Sequence, residues 1–150
     1  MDTQSSLVGT WLHQSFLILS AETEKDTLAG STAQARKWAK GTLNITEETG
    51  NQIVGELVFA PGITLNIIGN ISPATDELPA VLNATGKGLE GITKGTIYQV
   101  SGWIIPSSNS NQRPTIRGSI LAVRGPDTSP EIELGKEPVG TVGAFVLSPI

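Results

Sequence analysis

Between residues 41 and 72 three short runs alternate apolar with polar residues: TLNIT, QIVGELVF and ITLNIIGNIS. The segments that separate them, EETGN and APG, carry the Gly, Pro and Asn chemistry of tight turns. A three-residue loop at 60–62 puts Phe59 opposite Ile63, and the pairs Leu57/Leu65, Gly55/Ile67 and Ile53/Gly69 follow from it. A loop at 48–52 then places Ile45 opposite Gly55 and Leu43 opposite Leu57. Both turns gather the large apolar side chains on one face and set glycine against a bulky partner. The other face receives Glu56 with Asn66 and Val58 with Thr64. A slip of one residue would invert every side chain, so the register is strongly specified. The expectation is a three-stranded antiparallel meander.

Similar runs occupy 7–19, 79–85, 96–105, 115–124 and 139–148, which brings the count to eight strands. The 150-residue chain has 17 Gly, 9 Pro and only 16% charged residues, which suits many short strands and turns and not long surface helices. We therefore expect an all-β protein, residues 1–150 forming one eight-stranded antiparallel meander barrel. A barrel of that size is filled by side chains or holds one small ligand. A two-sheet sandwich is the alternative architecture. The longest polar connector, 20–39, contains AQARKWAK, which reads as a short helix with Arg36, Lys37 and Lys40 in water and Trp38 packed down. It is either a solvated connector or a lid.

Several function classes are excluded by composition and pattern. A net charge of −4 opposes nucleic-acid partners and an anionic membrane surface, because phosphate binding needs concentrated Lys and Arg. There is no Cys, which removes thiolate chemistry and Cys-type zinc sites and suits a cytoplasmic chain. The apolar N-terminal run lacks a basic leader and is interrupted by His13 and Gln14, so neither a signal peptide nor a span is expected. The sequons at Asn44, Asn70 and Asn83 read as polar strand faces. Asp127, Glu131 and Glu133 match no calcium-loop spacing and read as a solvated acidic loop. Gly86, Gly88 and Gly91 spell G-x-G-x-x-G, but a strand follows instead of a helix, so no pyrophosphate site forms. No cofactor and no metal are expected.

The run ATGKGLEGITKGTIY sets Gly86, Gly88 and Gly95 at a distinctive spacing, with Lys94 before the last glycine. It resembles the G-x-G turn of dirigent proteins and allene oxide cyclases. That resemblance implies a calycin-like eight-stranded barrel, whose family members include cyclases and stereochemical guides that hold a reactive apolar substrate inside. Glu90 stands where an aromatic is usual. The LVGTW segment at residues 7–11 is similar to the G-x-W opening of lipocalins, in which Trp closes the base of the barrel. That similarity implies structural roles for Gly9 and Trp11.

The residues available to line a ligand cavity are Trp11, His13, Tyr98, Trp103 and Arg117; no catalytic residue can be assigned. His13 is the only histidine, so a catalytic triad has little to draw on. Tyr98 and Trp103 occupy opposite faces of one strand, and only one of them can point inward. Arg117 shares a face with Ser119, Leu121 and Val123, as an outward cation or an inward anchor for a carboxylate. A buried Arg117 needs a partner, and with Glu56 facing outward that partner would be a carboxylate-bearing apolar ligand. The expected function is handling of a small apolar or amphipathic ligand, as a metal-free cyclase or isomerase or as a lipocalin-like carrier. A solid barrel packed by Phe16, Leu57, Phe59, Ile67 and Phe145 is the third class. Self-association stays open.

Overall fold

The computed structural model describes residues 6–18, 35–109, 111–134 and 136–150. Eight strands, β1 (Gly9–Ile18), β2 (Ala35–Thr49), β3 (Gln52–Ala60), β4 (Ile63–Ser72), β5 (Ala80–Lys87), β6 (Ile97–Ile105), β7 (Thr115–Arg124) and β8 (Val142–Pro149), pair antiparallel in chain order. β8 returns to pair with β1, closing the barrel. Among the described residues the only helical element is a three-residue 3-10 turn at Gly91–Thr93.

The central meander has the register that its alternation requires. Leu57 pairs with Leu65, Gly55 with Ile67 and Ile53 with Gly69, while Leu43 and Ile45 pair with Leu57 and Gly55. Leu43, Ile45, Ile53, Leu57, Leu65 and Ile67 are all buried. The turn between β3 and β4 is tighter than the expected three-residue loop. Ala60, not Phe59, pairs with Ile63, and the register shifts between Val58 and Ala60. Pro61 and Gly62 make a two-residue turn, with Gly62 at φ 79°, because proline followed by a positive-φ glycine suits the two central turn positions. Gly55 lies hard against β2: a Cβ there would stand 2.5 Å from the Asn44 carbonyl oxygen and 3.1 Å from the Ile45 Cα.

Residues 35–40 of the AQARKWAK segment form the start of β2 and not a helix. Backbone pairing with β1, from Ile18↔Ala35 to Ser15↔Ala39, outweighs its local helix propensity. The register shifts between Ser15 and Phe16, where Trp38 is the extra residue of a bulge. Arg36, Lys37 and Lys40 are exposed as expected, and Trp38 packs against the core. The proposed lid over the rest of that connector lies outside the described residues. On β1 the inner face carries Trp11, His13, Ser15 and Leu17. Phe16 is only half-buried and takes no part in the core, in contrast to the solid-barrel expectation.

One end of the barrel is closed by Trp11. It is fully buried, its Nε1 donates to the Leu7 carbonyl at 2.9 Å, and the Arg113 guanidinium covers its ring. Loops 88–96 and 125–141 meet at the other end. Gly88 and Gly95 turn the first of them back on itself. The Gly95 N–H donates to the Gly88 carbonyl at 3.0 Å, and the Gly88 N–H donates to Thr96 at 2.9 Å. Gly95 has φ 93°, and a Cβ on Gly88 would lie 1.9 Å from the Thr93 carbonyl oxygen. These glycines shape a strand-to-strand corner and hold no helix N-terminus. The loops are tied by Asp127 N–H to the Lys94 carbonyl at 2.7 Å and by Arg124 to the Gly95 carbonyl at 2.8 Å.

Candidate functional site

Three features of the sequence converge at the loop-bearing end. The parity of β1 that buries Trp11 also turns His13 and Ser15 inward, one and two steps above it. The bulge in β2 aims Trp38 into the same space. The parity of β6 sends Tyr98 and Val100 inward, while Gln99, Ser101 and Trp103 face outward. With Phe59 and Phe145 they line a cavity of about 50 Å³. Aliphatic side chains, among them Leu57, Ile67 and Leu147, supply the remaining wall, and among the described residues no charged side chain lines it. Ligand pockets for drug-sized molecules run to roughly 300–1,000 Å³, so this cavity suits a much smaller occupant.

His13 is the polar centre of this wall. It is 3% exposed, and its Nε2 has no hydrogen-bond partner. Its ring stacks beside Phe145, with centroids 6.3 Å apart, and meets Phe59 edge-on at 6.2 Å. Burial among these apolar groups lowers its pKa from 6.5 to about 4, so the imidazole is neutral at physiological pH. Ser15 turns away from it: its hydroxyl donates weakly to the Ala39 carbonyl at 3.4 Å.

Tyr98 joins the cavity to the loop above it. Its hydroxyl donates to Oε2 of Glu133, and its ring meets the Trp38 indole edge-on at 6.0 Å. Burial first, and then the Glu133 hydrogen bond and charge, push the phenol pKa up, so Tyr98 stays a donor. Glu133 is only 5% exposed, and its Oε1 accepts the Glu137 N–H at 2.9 Å. Further along the loop, Glu137 pairs with Arg36 on β2. The 125–141 loop is thus pinned across the mouth at two points, one buried and one at the surface.

Of the five residues singled out in the sequence, the structure brings His13 and Tyr98 together in the cavity. Trp11 belongs to the closed base. Trp103 and Arg117 pair with each other across β6 and β7 on the outer wall, both exposed. The inward-anchor reading of Arg117 is therefore corrected: its strand parity buries Ile116 and Ile120 and turns Arg117 to solvent. Trp38 and Glu133 are site residues that sequence reasoning did not place there, whereas Phe59 and Phe145 lie inside as the solid-barrel reading has them. The sole available signal was an aromatic, Trp38, in an otherwise polar segment. Glu133 is buried, so the acidic loop is not simply solvated. Among the described residues no group of three or more His, Asp or Glu could hold a metal ion. Compared with protein-family models, with curated proteins and with solved structures, the chain matches none.

Proposed function

We propose that this barrel binds a small apolar or amphipathic molecule in the cavity around His13, and that it acts as a binder and not as a catalyst. The observation that supports this is the unpartnered Nε2 of His13, buried in an otherwise apolar, aromatic-rich chamber beneath a pinned loop. Leaving a buried polar atom unsatisfied costs on the order of 1–3 kcal/mol. A ligand group that bonds to Nε2 recovers that cost, whereas a leucine at this position would never incur it. The closed base at Trp11 and the loop-covered opposite end favour the lipocalin-like carrier among the barrel readings. Against a cyclase or hydrolase, Ser15 is bonded to a backbone carbonyl, and among the described residues no acid orients His13.

The small volume of the cavity favours one competing reading, a solid-core structural or interaction barrel. Nuclear magnetic resonance separates the two, because His13 is the only histidine and its ring signals are unambiguous. Titration with methanol and ethanol, small enough for this chamber, should shift those signals saturably. Ring signals that do not move with any small amphiphile would favour the solid core.

A further inference from the structure

The outer wall carries a second hollow, separate from the His13 cavity. It lies across β4, β5, β6 and β7 and has a volume of about 810 Å³, within the roughly 300–1,000 Å³ of ligand pockets. The strand registers lay its side chains out in cross-strand rows. One row runs Asn70, Asn83, Ser101 and Ser119, each opposite the next. The row beside it runs Ile68, Thr85, Gln99 and Leu121. Neighbouring strands lie about 4.8 Å apart, so a row of four residues spans about 14 Å. That is room for a short oligosaccharide.

We propose that this face binds a neutral oligosaccharide, with its hydroxyls on the Asn70-to-Ser119 row and one sugar ring stacked on Trp103. The hollow is polar without being ionic. Among the described residues no Asp or Glu lines it, and Lys87 is its only charge. The rest of the outer wall differs: β2 and β3 show Arg36, Lys40 and Glu56, and the β1–β8 seam shows half-buried Leu12, Phe16 and Val146. Each amide and hydroxyl in the rows can both donate and accept. Among the described residues one side-chain hydrogen bond forms inside the hollow, from Ser101 Oγ to Asn83 Oδ1 at 2.7 Å. Asn66, Asn70, Gln99 and Ser119 keep their polar groups free for a ligand. An ion finds little here to pair with, whereas a molecule rich in hydroxyls finds donors and acceptors in order. Trp103 supplies the apolar half of the site. It leaves the same face of β6 two residues beyond Ser101, about 7 Å along the strand, at the end opposite Lys87, and is 45% exposed. Its indole is a flat apolar plate that suits the C–H face of a sugar ring. Arg117, opposite Trp103 on β7, adds donors that need no anion.

The test titrates the whole chain with cellotriose, maltotriose, mannotriose and triacetylchitotriose, and with trigalacturonate as the anionic counterpart. Nuclear magnetic resonance follows the side-chain amides and the Trp103 indole. The expected result is saturable binding of at least one neutral trisaccharide, moving the Asn70, Asn83, Gln99 and Trp103 signals and leaving the His13 ring unmoved. Asn83→Ala and Trp103→Ala should each weaken that binding about fivefold, the scale of one hydrogen bond or one stacked ring. Should Asn83→Ala fail to fold, Gln99→Ala on the neighbouring row takes its place with the same expectation. Silence from all four neutral sugars would overturn the proposal, as would shifts confined to other faces of the barrel. Trigalacturonate binding more tightly than every neutral sugar would overturn it by showing ionic recognition. So would Asn83 and Trp103 signals that move with protein concentration while sedimentation shows self-association, because a second copy would then be the occupant of this face.

Discussion

The guanidinium of Arg113 lies over the Trp11 indole, 4.8 Å from the ring centroid, and its Nη2 donates to the Thr10 and Ile150 carbonyls at 2.9 and 3.0 Å. One side chain thus covers the aromatic plug and ties β1 to the residue that follows β8. Arg113→Lys keeps the charge but loses the planar fork and much of the stacking. We expect that change to cost about 1–2 kcal/mol and Arg113→Ala about 2–3 kcal/mol, given the cation–π and hydrogen-bond terms involved. Urea denaturation of the two variants measures this; equal midpoints for Arg113→Lys and the unaltered chain would show the stacking to be inert.

At Gly55 the obstacle to a side chain is the β2 backbone, at Asn44 and Ile45, more than the facing Ile67. Even alanine is therefore too large. Gly55→Ala should destabilise by roughly 1–3 kcal/mol through overpacking, and Gly55→Leu by at least as much. Thermal denaturation of the alanine variant at an unchanged midpoint would contradict this contact.

His13 links stability to pH. Folded, its imidazole takes up a proton only near pH 4; unfolded, it does so near 6.5. Between those values the unfolded chain holds the extra proton, so stability is fully present above pH 6.5 and declines as pH falls toward 4. The 2.5-unit difference corresponds to roughly 3 kcal/mol. His13→Leu should lose this part of the pH dependence. It should also be more stable than the unaltered chain at pH 7, because an unsatisfied buried polar atom is gone. Parallel pH–stability curves for the two proteins would exclude His13 as the titrating group.

Tyr98 and Glu133 form one buried unit across the mouth. Removing the donor in Tyr98→Phe strands a buried carboxylate oxygen and should cost about 1–3 kcal/mol. A double-mutant cycle of Tyr98→Phe with Glu133→Gln should return a coupling of at least ~0.5 kcal/mol, the range for residues in direct contact. Additive effects would mean that the loop is held by other contacts.

Arg117→Leu and Trp103→Ser alter only the outer wall. Each should leave stability within about 0.5 kcal/mol, as is usual for surface positions, and should leave ligand-induced His13 shifts untouched. A variant of either that altered those shifts would return the outer wall to consideration.

The meander was legible because glycine opposite a bulky residue fixes phase: only one register places Ile67 against Gly55 and Leu57 against Leu65 in a common interior. Trp103 and Tyr98 were legible as opposites, but which of them faced inward depended on neighbouring strands. Trp38 was hidden by its bulge, since one extra residue breaks the alternation that a sequence reader follows. Glu133 was hidden for a different reason. Its burial depends on a loop folding back to a tyrosine 35 residues away, and no local pattern reports that.

Seven of the eight ladders join strands that follow one another in the chain; the seam between β1 and β8, from Trp11↔Pro149 to Phe16↔Ala144, joins its two ends. Bringing those ends together carries the largest loop-closure entropy in the molecule, so the seam is the natural slow step of folding. Until it zips, β1 and β8 are two open edges with unpaired amides, free to add the matching strand of a second chain. A barrel without edges in its finished state therefore passes through a form with two, and its window for domain exchange lasts as long as that single ladder takes to close.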